Sequence, residues 1–167
     1  MIVLSQDKYT KNLDFVAKES VSNLETWKKI AKTRIGQLNW LAGQIRPDLA
    51  FCVNNLNSVS GEFSSENLSC LNKVIKHAKC QFLPIKFPSD LNFNDIRVIC
   101  FSDASFGNVK NGGSQGGYII FVADKWGKCA PVSWSSKRVV KSTLAVETLA
   151  LKVWTQLYSS DSYYLRF

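Results

Sequence analysis

Apolar residues recur at helical spacing through the first half of the chain. The first stripe advances by four, four, three, four and three residues, which is the spacing of one face of an amphipathic helix. It consists of Trp27, Ala31, Ile35, Leu38, Ala42 and Ile45. Because the residue before a proline disfavours helical backbone, Arg46-Pro47 should end this helix.

Two shorter stripes extend the helical region. One contains Leu49, Cys52, Val53 and Leu56, and the other contains Leu68, Leu71, Ile75, Ala78 and Phe82. Ser64 or Ser65 can cap the later helix, because a serine hydroxyl accepts a hydrogen bond from the first turn. The pattern therefore predicts a mostly helical first half.

The pattern changes after Pro84 and Pro88, where β-branched and aromatic runs replace the helical stripes. The glycines between 112 and 117 indicate a loop, and Asp124–Lys128 is typical of a hairpin turn. Pro131 favours an edge strand, because proline has no backbone N–H to donate. The runs expected to form strands are Ile96–Phe101, Gly117–Ala123 and Ala130–Ser135. Three consecutive strands joined in this way predict an antiparallel meander.

A last apolar stripe predicts a C-terminal helix over residues 142–165, with Ser142 or Thr143 as its N-cap. The stripe contains Leu144, Leu151, Trp154, Tyr158 and Leu165. We therefore expect an α+β chain, in which a helical N-terminal half precedes a three-stranded antiparallel meander with the C-terminal helix packed on it. The best boundary lies near residues 84–95, which gives domains of residues 1–94 and 95–167.

Composition favours a globular, soluble, intracellular protein. A hydrophobic fraction of 46% in 167 residues is enough for one sizeable core or two small ones. Met1–Leu4 is too short for a signal peptide, and no apolar run approaches membrane-spanning length. The cysteines are odd in number and form no C-x-x-C pair, so we expect reduced core residues at Cys52, Cys70, Cys80, Cys100 and Cys129.

The charge balance favours a polyanionic partner. Lys and Arg number 21 against 13 Asp and Glu, which gives a formal charge of +8. Nucleic acid is the simplest polyanion that such a chain would bind. A basic surface that serves only solubility explains the same charge equally well.

Two carboxylates are candidates for metal chemistry. Glu147 lies on the apolar stripe of the last helix, and Asp103 follows the first strand on the face of Ile99 and Phe101. If the helix packs across the meander, the two side chains can converge, and paired carboxylates are ligands that Mg²⁺ prefers. Asp161 lies about 21 Å farther along the helix and cannot join them. Alternatively, Asp103 caps a turn and Glu147 meets an arginine or a backbone N–H.

Several ordered motifs resemble copia-type retrotransposon polyproteins. The motifs in the first half are Ile2–Tyr9, Ile35–Ala42 and Arg46–Phe51, and those in the second half are Ser102–Ser105, Gly113–Phe121, Ser133–Lys137 and Lys141–Glu147. The earlier group is similar to the end of the reverse transcriptase, and the later group is similar to its ribonuclease H domain. The resemblance covers nearly the whole chain.

The resemblance implies a function for each part. Residues 1–94 would be the thumb- or connection-like end of the polymerase, and residues 95–167 the N-terminal part of a ribonuclease H-like domain. That domain hydrolyses RNA in RNA–DNA hybrids with Mg²⁺ or Mn²⁺. Asp103 matches its first acid and Glu147 its helix acid, both as metal ligands. The resemblance also implies a cytoplasmic particle or the nucleus as location, and the remainder of the polyprotein as a partner.

Two parts of the family pattern do not occur in the sequence. There is no Y-x-D-D motif, so DNA synthesis is not expected. The third family acid belongs to a strand after the last helix, and Phe167 precedes any such strand. We therefore expect weak or absent cleavage and an unpaired apolar edge on the first strand of the meander.

Two other functions remain open from the sequence. The chain could be a non-catalytic nucleic-acid-binding module, with basic residues Lys28, Lys29, Lys32, Arg34, Lys137, Arg138 and Lys141 as the candidate contacts. It could also be the product of a decayed element without a function of its own. Trp126 and Trp134 could stack on bases, although packing is the commoner role of such aromatics. His77 has no expected catalytic role.

Overall fold

The computed structural model describes residues 1–17, 24–59, 64–109 and 113–139. The chain divides into two compact units, one of residues Val3–Ile85 and one of Met1–Ile2 with the residues from Lys86 onward. The first unit is mainly helical and the second is built on a sheet. The described structure is therefore α+β, as the sequence predicts.

The described residues of the first unit form four α-helices. They are α1 (Asp7–Lys11), α2 (Leu24–Gln44), α3 (Ala50–Ser58) and α4 (Ser65–Cys80), with a 3-10 turn at Pro47–Leu49 before α3. The short strands β1 (Ile2–Leu4) and β2 (Ile85–Phe87) form a two-stranded sheet.

The predicted apolar stripes form the core of the helical unit. All six residues of the first predicted stripe are buried, and so are the residues of the second and third stripes other than Cys52 and Phe82. Ser64 caps α4, because its hydroxyl accepts a hydrogen bond from the backbone N–H of Asn67 at 3.3 Å. Phe82 was wrongly assigned to the α4 stripe, since α4 ends at Cys80 and the Phe82 side chain is exposed.

The second unit contains a three-stranded antiparallel sheet in the order β3-β4-β5. Its strands are β3 (Arg97–Val109), β4 (Gly113–Ala123) and β5 (Cys129–Val139), so the predicted meander is confirmed. The strands are longer than predicted. Residues 113–117, expected to be a loop, are part of β4, and Asp103 lies within β3 opposite Gly117 instead of at its end. Backbone pairing across the strands has overridden the low strand propensity of these glycines.

The turn between β4 and β5 has the predicted form. Asp124 Oδ1 accepts hydrogen bonds from the backbone N–H groups of Trp126 and Lys128 at 2.9 and 3.0 Å, and Gly127 has φ of 85°. Val132 is an extra residue in β5, because Ile120 pairs with Ser133 while the next residue of β4 pairs with Pro131. Such a bulge accommodates a proline, which cannot donate to the ladder.

The expectation of core cysteines was wrong. All five are free, but four are exposed and Cys100 is half-buried. The buried positions of α3 and α4 are aliphatic residues three and four apart, and Cys52 and Cys70 lie one position away from that stripe. A one-residue offset turns a helical side chain by about 100°, which is enough to move it out of the core.

Residues 142–165, predicted to form a helix against the sheet, lie outside the described residues. Their packing therefore stays a prediction. Within the described part of the chain, no helix is long and apolar enough to cross a membrane.

Candidate functional site

The exposed side of α2 brings basic, small and aromatic residues onto one stripe. At about 100° per residue, one arc of roughly 100° contains Lys29, Lys32, Thr33, Gly36, Trp40 and Gly43, with Glu25 on the same arc in the first turn. The buried stripe of the same helix occupies the opposite side. We call this exposed set the α2 stripe.

Lysines occupy the N-terminal end of the α2 stripe. Lys29 and Lys32 are exposed, and with Glu25, Lys28 and Thr33 they line a depression on the helix surface. Lys28 Nζ lies 3.4 Å from Glu25 Oε1. An exposed pair of this kind contributes little stability and is easily exchanged for another anion.

Arg34 differs from the three lysines in its surroundings. It lies on the other side of α2, where it donates to Asp14 Oδ2 at 2.8 Å and to Gln37 Oε1 at 2.9 Å. Its side chain is largely buried. Of the four basic residues predicted in this region, Lys29 and Lys32 therefore present the most accessible charges.

An aromatic pair occupies the C-terminal half of the α2 stripe. The Trp40 side chain is 43% exposed, and its ring centroid lies 4.7 Å from that of Tyr9 on α1. A Cβ at Gly36 would meet no atom within 4 Å, so the helix surface before Trp40 is open. Trp40 was not among the residues predicted to contact nucleic acid, although its position off the buried stripe indicated that it would be exposed.

Asp103 lies on the exposed face of the three-stranded sheet. Every second residue of β3, namely Ile99, Phe101 and Asp103, lies on this face. Their partners on β4 are Phe121, Ile119 and Gly117. Asp103 is exposed and lies opposite Gly117 of β4. Strand alternation thus places Asp103 beside Phe101, as predicted.

The other half of the predicted carboxylate pair, Glu147, lies outside the described residues, and so does Lys141. Lys137 and Arg138 belong to β5 opposite Gly116 and Gln115, but their side chains are not among those described. Across the described residues, no group of three or more His, Cys, Asp and Glu side chains could hold a metal ion. Binding of Mg²⁺ or Mn²⁺ stays a prediction.

The two tryptophans of the sheet unit have different surroundings. Trp134 is half-buried, whereas Trp126 at the β4–β5 turn is exposed with Lys125 Nζ 4.5 Å from its ring centroid. The packing role favoured by the sequence therefore does not hold for Trp126.

A buried arginine of the helical unit has a structural role. Arg46 is only 3% exposed, and it donates to Asp48 and to the backbone carbonyls of Ala78 and Gln81. His77 Nε2 lies 3.2 Å from Asp48 Oδ2. Burial raises the pKa of Asp48, but hydrogen bonds and charges from Arg46 and His77 outweigh it and lower the pKa overall. This cluster ties the turn after α2 to the end of α4.

Comparison with known proteins gives no family assignment. No family model matches the chain, and a search of curated proteins returns no match.

Proposed function

We propose that this chain is part of a copia-type retrotransposon polyprotein and that it binds nucleic acid along the α2 stripe. The observation that carries the proposal is the alignment of Lys29, Lys32, Gly36 and Trp40 on one exposed side of a single helix. The motif resemblance supports the same reading, because Ile35–Ala42 belongs to the region similar to the end of the polymerase.

The chemistry of the α2 stripe fits a nucleic-acid strand. Lysine ammonium groups bind phosphates and release counterions, which gives affinity without sequence preference. An exposed tryptophan can stack on a base or sugar, and Trp40 lies about 12 Å from Lys32 along the helix axis. Gly36, between them, allows a backbone to approach the helix closely.

The test measures binding of a labelled RNA–DNA hybrid by fluorescence anisotropy across a salt series. We expect affinity to fall steeply as salt rises, and the double variant Lys29→Gln/Lys32→Gln should lower the magnitude of the salt slope by about two. The matched control is Lys73→Gln/Lys76→Gln, which removes the same charge from exposed positions of α4. Equal losses in both double variants would show that net charge alone acts.

The aromatic end of the stripe is tested separately. Trp40→Ala should weaken binding by about 1–3 kcal/mol, the range for loss of a stacked base. Phe51→Ala is the control, because Phe51 is an exposed aromatic on α3 away from the stripe. An affinity that is insensitive to salt, or a Trp40→Ala variant that binds as the parent does, would contradict the proposal.

A second candidate function is ribonuclease H-type hydrolysis by residues 95–167, and the exposed Asp103 carboxylate favours it. Asp103 is an exposed hard oxygen ligand of the kind that a divalent ion takes, and Glu147 would be the second ligand. In such a site, Mg²⁺ or Mn²⁺ would activate the attacking water and stabilise the leaving oxygen. Two carboxylates would hold the ions weakly, so we expect cleavage by these 167 residues to be slow or absent.

The test incubates the chain with labelled hybrid and Mg²⁺, beside a chain extended by a strand that carries a third acid. Cleavage by the extended chain that is lost in Asp103→Asn and in Glu147→Gln supports the assignment. Asp90→Asn is the control, because it removes an exposed carboxylate that pairs with Lys128. If neither chain cleaves, or if Asp103→Asn retains full activity, the catalytic assignment is wrong.

A further inference from the structure

The two outer strands of the three-stranded sheet differ in how well their edges are protected. Among the described strands, β3 pairs only with β4, and β5 also pairs only with β4. The sequence of β5 contains Pro131, Lys137 and Arg138, residues that discourage pairing with another strand. In contrast, β3 contains no proline, pairs regularly with β4 from Arg97 to Ser105, and has charged residues only at Arg97 and Asp103.

The apolar side chains of β3 are also exposed. Ile99 is 39% and Phe101 is 61% exposed, although Phe101 contacts Phe121 edge-on with ring centroids 6.1 Å apart. A long strand edge with exposed apolar residues favours addition of another strand.

We propose that β3 pairs with β3 of a second copy of this chain, in antiparallel register centred on Cys100. The dimer would contain one continuous six-stranded sheet in the order β5-β4-β3-β3-β4-β5. This inference goes beyond the proposed nucleic-acid binding and does not depend on it. It gives the Asp103 carboxylate to an ion pair between copies, so it is an alternative to metal binding by that residue.

Charge complementarity selects this register. With a twofold axis perpendicular to the sheet, residues that lie opposite each other have their side chains on the same face. Opposed residues must therefore be an even number of positions apart in the sequence, so the axis passes through a residue and not between two residues. With Cys100 at the centre, Arg97 lies opposite Asp103 of the second copy, and Ile99 lies opposite Phe101. The sequence of β3 is thus complementary to itself, with two apolar pairs flanked by two pairs of opposite charge.

The neighbouring registers on the same strand lack this match. Moving the centre to Ile99 places Arg97 opposite Phe101, and moving it to Phe101 places Asp103 opposite Ile99. Each shift sets a charged group against an apolar side chain. Because the twofold pairing uses both β3 edges and leaves the protected β5 edges outside, the assembly closes as a dimer.

A charge exchange tests the register by sedimentation velocity over a concentration series. Arg97→Asp places a carboxylate opposite Asp103 of the second copy, and Asp103→Arg places a guanidinium group opposite Arg97 of the second copy. Because like charges then repel, each substitution should raise the dimer dissociation constant about tenfold or more. The double variant Arg97→Asp/Asp103→Arg restores opposite charges at both pairs and should return the dissociation constant to near that of the parent chain. This recovery also shows that the substitutions permit folding.

Crosslinking gives an independent readout of the centre of the register. A variant that keeps Cys100 but has serine at Cys52, Cys70, Cys80 and Cys129 should form a covalent dimer with a short bismaleimide. A variant that keeps only Cys129, at the turn end of β5, should not. A parent chain that stays monomeric, a double variant as weak as the single ones, or crosslinking through Cys129 and not Cys100 would overturn the proposal.

Discussion

Arg46 binds Asp48 through two parallel hydrogen bonds, from Nε to Oδ1 at 2.8 Å and from Nη2 to Oδ2 at 2.7 Å. The remaining terminal nitrogen, Nη1, donates to the carbonyl oxygens of Ala78 and Gln81 at 3.1 and 3.0 Å. One buried guanidinium thus joins residues that follow α2 to the last turn of α4 and the residue after it. The arrangement needs a planar group with several donors, which lysine does not provide.

Replacement of Arg46 should therefore destabilise the helical unit strongly. Arg46→Met leaves the carbonyl groups of Ala78 and Gln81 without their donor and removes the main partner of Asp48, at a cost of about 2–3 kcal/mol, most of it from the two carbonyl groups. Urea unfolding followed by far-UV circular dichroism measures the change. As a control, Arg34→Met removes an arginine whose partner Asp14 is exposed, and it should cost much less. Similar losses in the two variants would contradict the structural role of Arg46.

The same ion pair predicts a dependence of stability on acid. The pKa of Asp48 is lower in the folded chain than its ordinary value, so the carboxylate stabilises the fold above about pH 4. This contribution is lost as pH falls through the lowered pKa. Asp48→Asn should thus reduce stability at neutral pH and weaken the fall in unfolding free energy on acidification. Asp14→Asn, which changes net charge equally, is the control for the loss of one carboxylate.

The N-cap of α4 makes a measurable contribution of its own. Ser64→Ala removes the hydroxyl that accepts from Asn67 N–H and should cost about 1 kcal/mol. Ser65→Ala, one residue later and inside the helix, should be neutral or slightly stabilising because alanine is the better helix former. Thermal unfolding of the two variants under identical conditions distinguishes the cap from a general effect of serine removal.

Two glycines should respond in opposite directions to alanine. Gly127 has a positive φ of 85° in the β4–β5 turn, so Gly127→Ala should destabilise the sheet unit by about 1 kcal/mol or more. Gly36 lies in the middle of α2 with open space around it, and Gly36→Ala should stabilise the helical unit by up to about 1 kcal/mol. Thermal unfolding measures both changes. Unfolding temperatures that shift in the same direction for the two variants would contradict this contrast.

Local patterns predicted much of the helical unit. The spacing of apolar residues located α2, α3 and α4, and Ser64 was one of two predicted caps, because helical contacts lie three and four residues apart in sequence. The strand lengths were predicted less well. Residues 113–117 are rich in glycine and become strand only because β3 and β5 provide hydrogen-bond partners from distant parts of the sequence.

The candidate functional residues show the same division between features that the sequence predicted and features that depend on distant contacts. The sequence by itself determined which residues carry charge, and alternation on β3 determined that Asp103 shares a face with Ile99 and Phe101, since strand geometry has a fixed period of two. Only the tertiary structure decided which basic residues are accessible, because Arg34 is held by Asp14 and Gln37 while Lys29 and Lys32 face away from the core. It also decided that Trp126 is exposed and that the cysteines lie outside the core. Burial depends on which elements pack together, and that packing is set by contacts between residues far apart in the sequence.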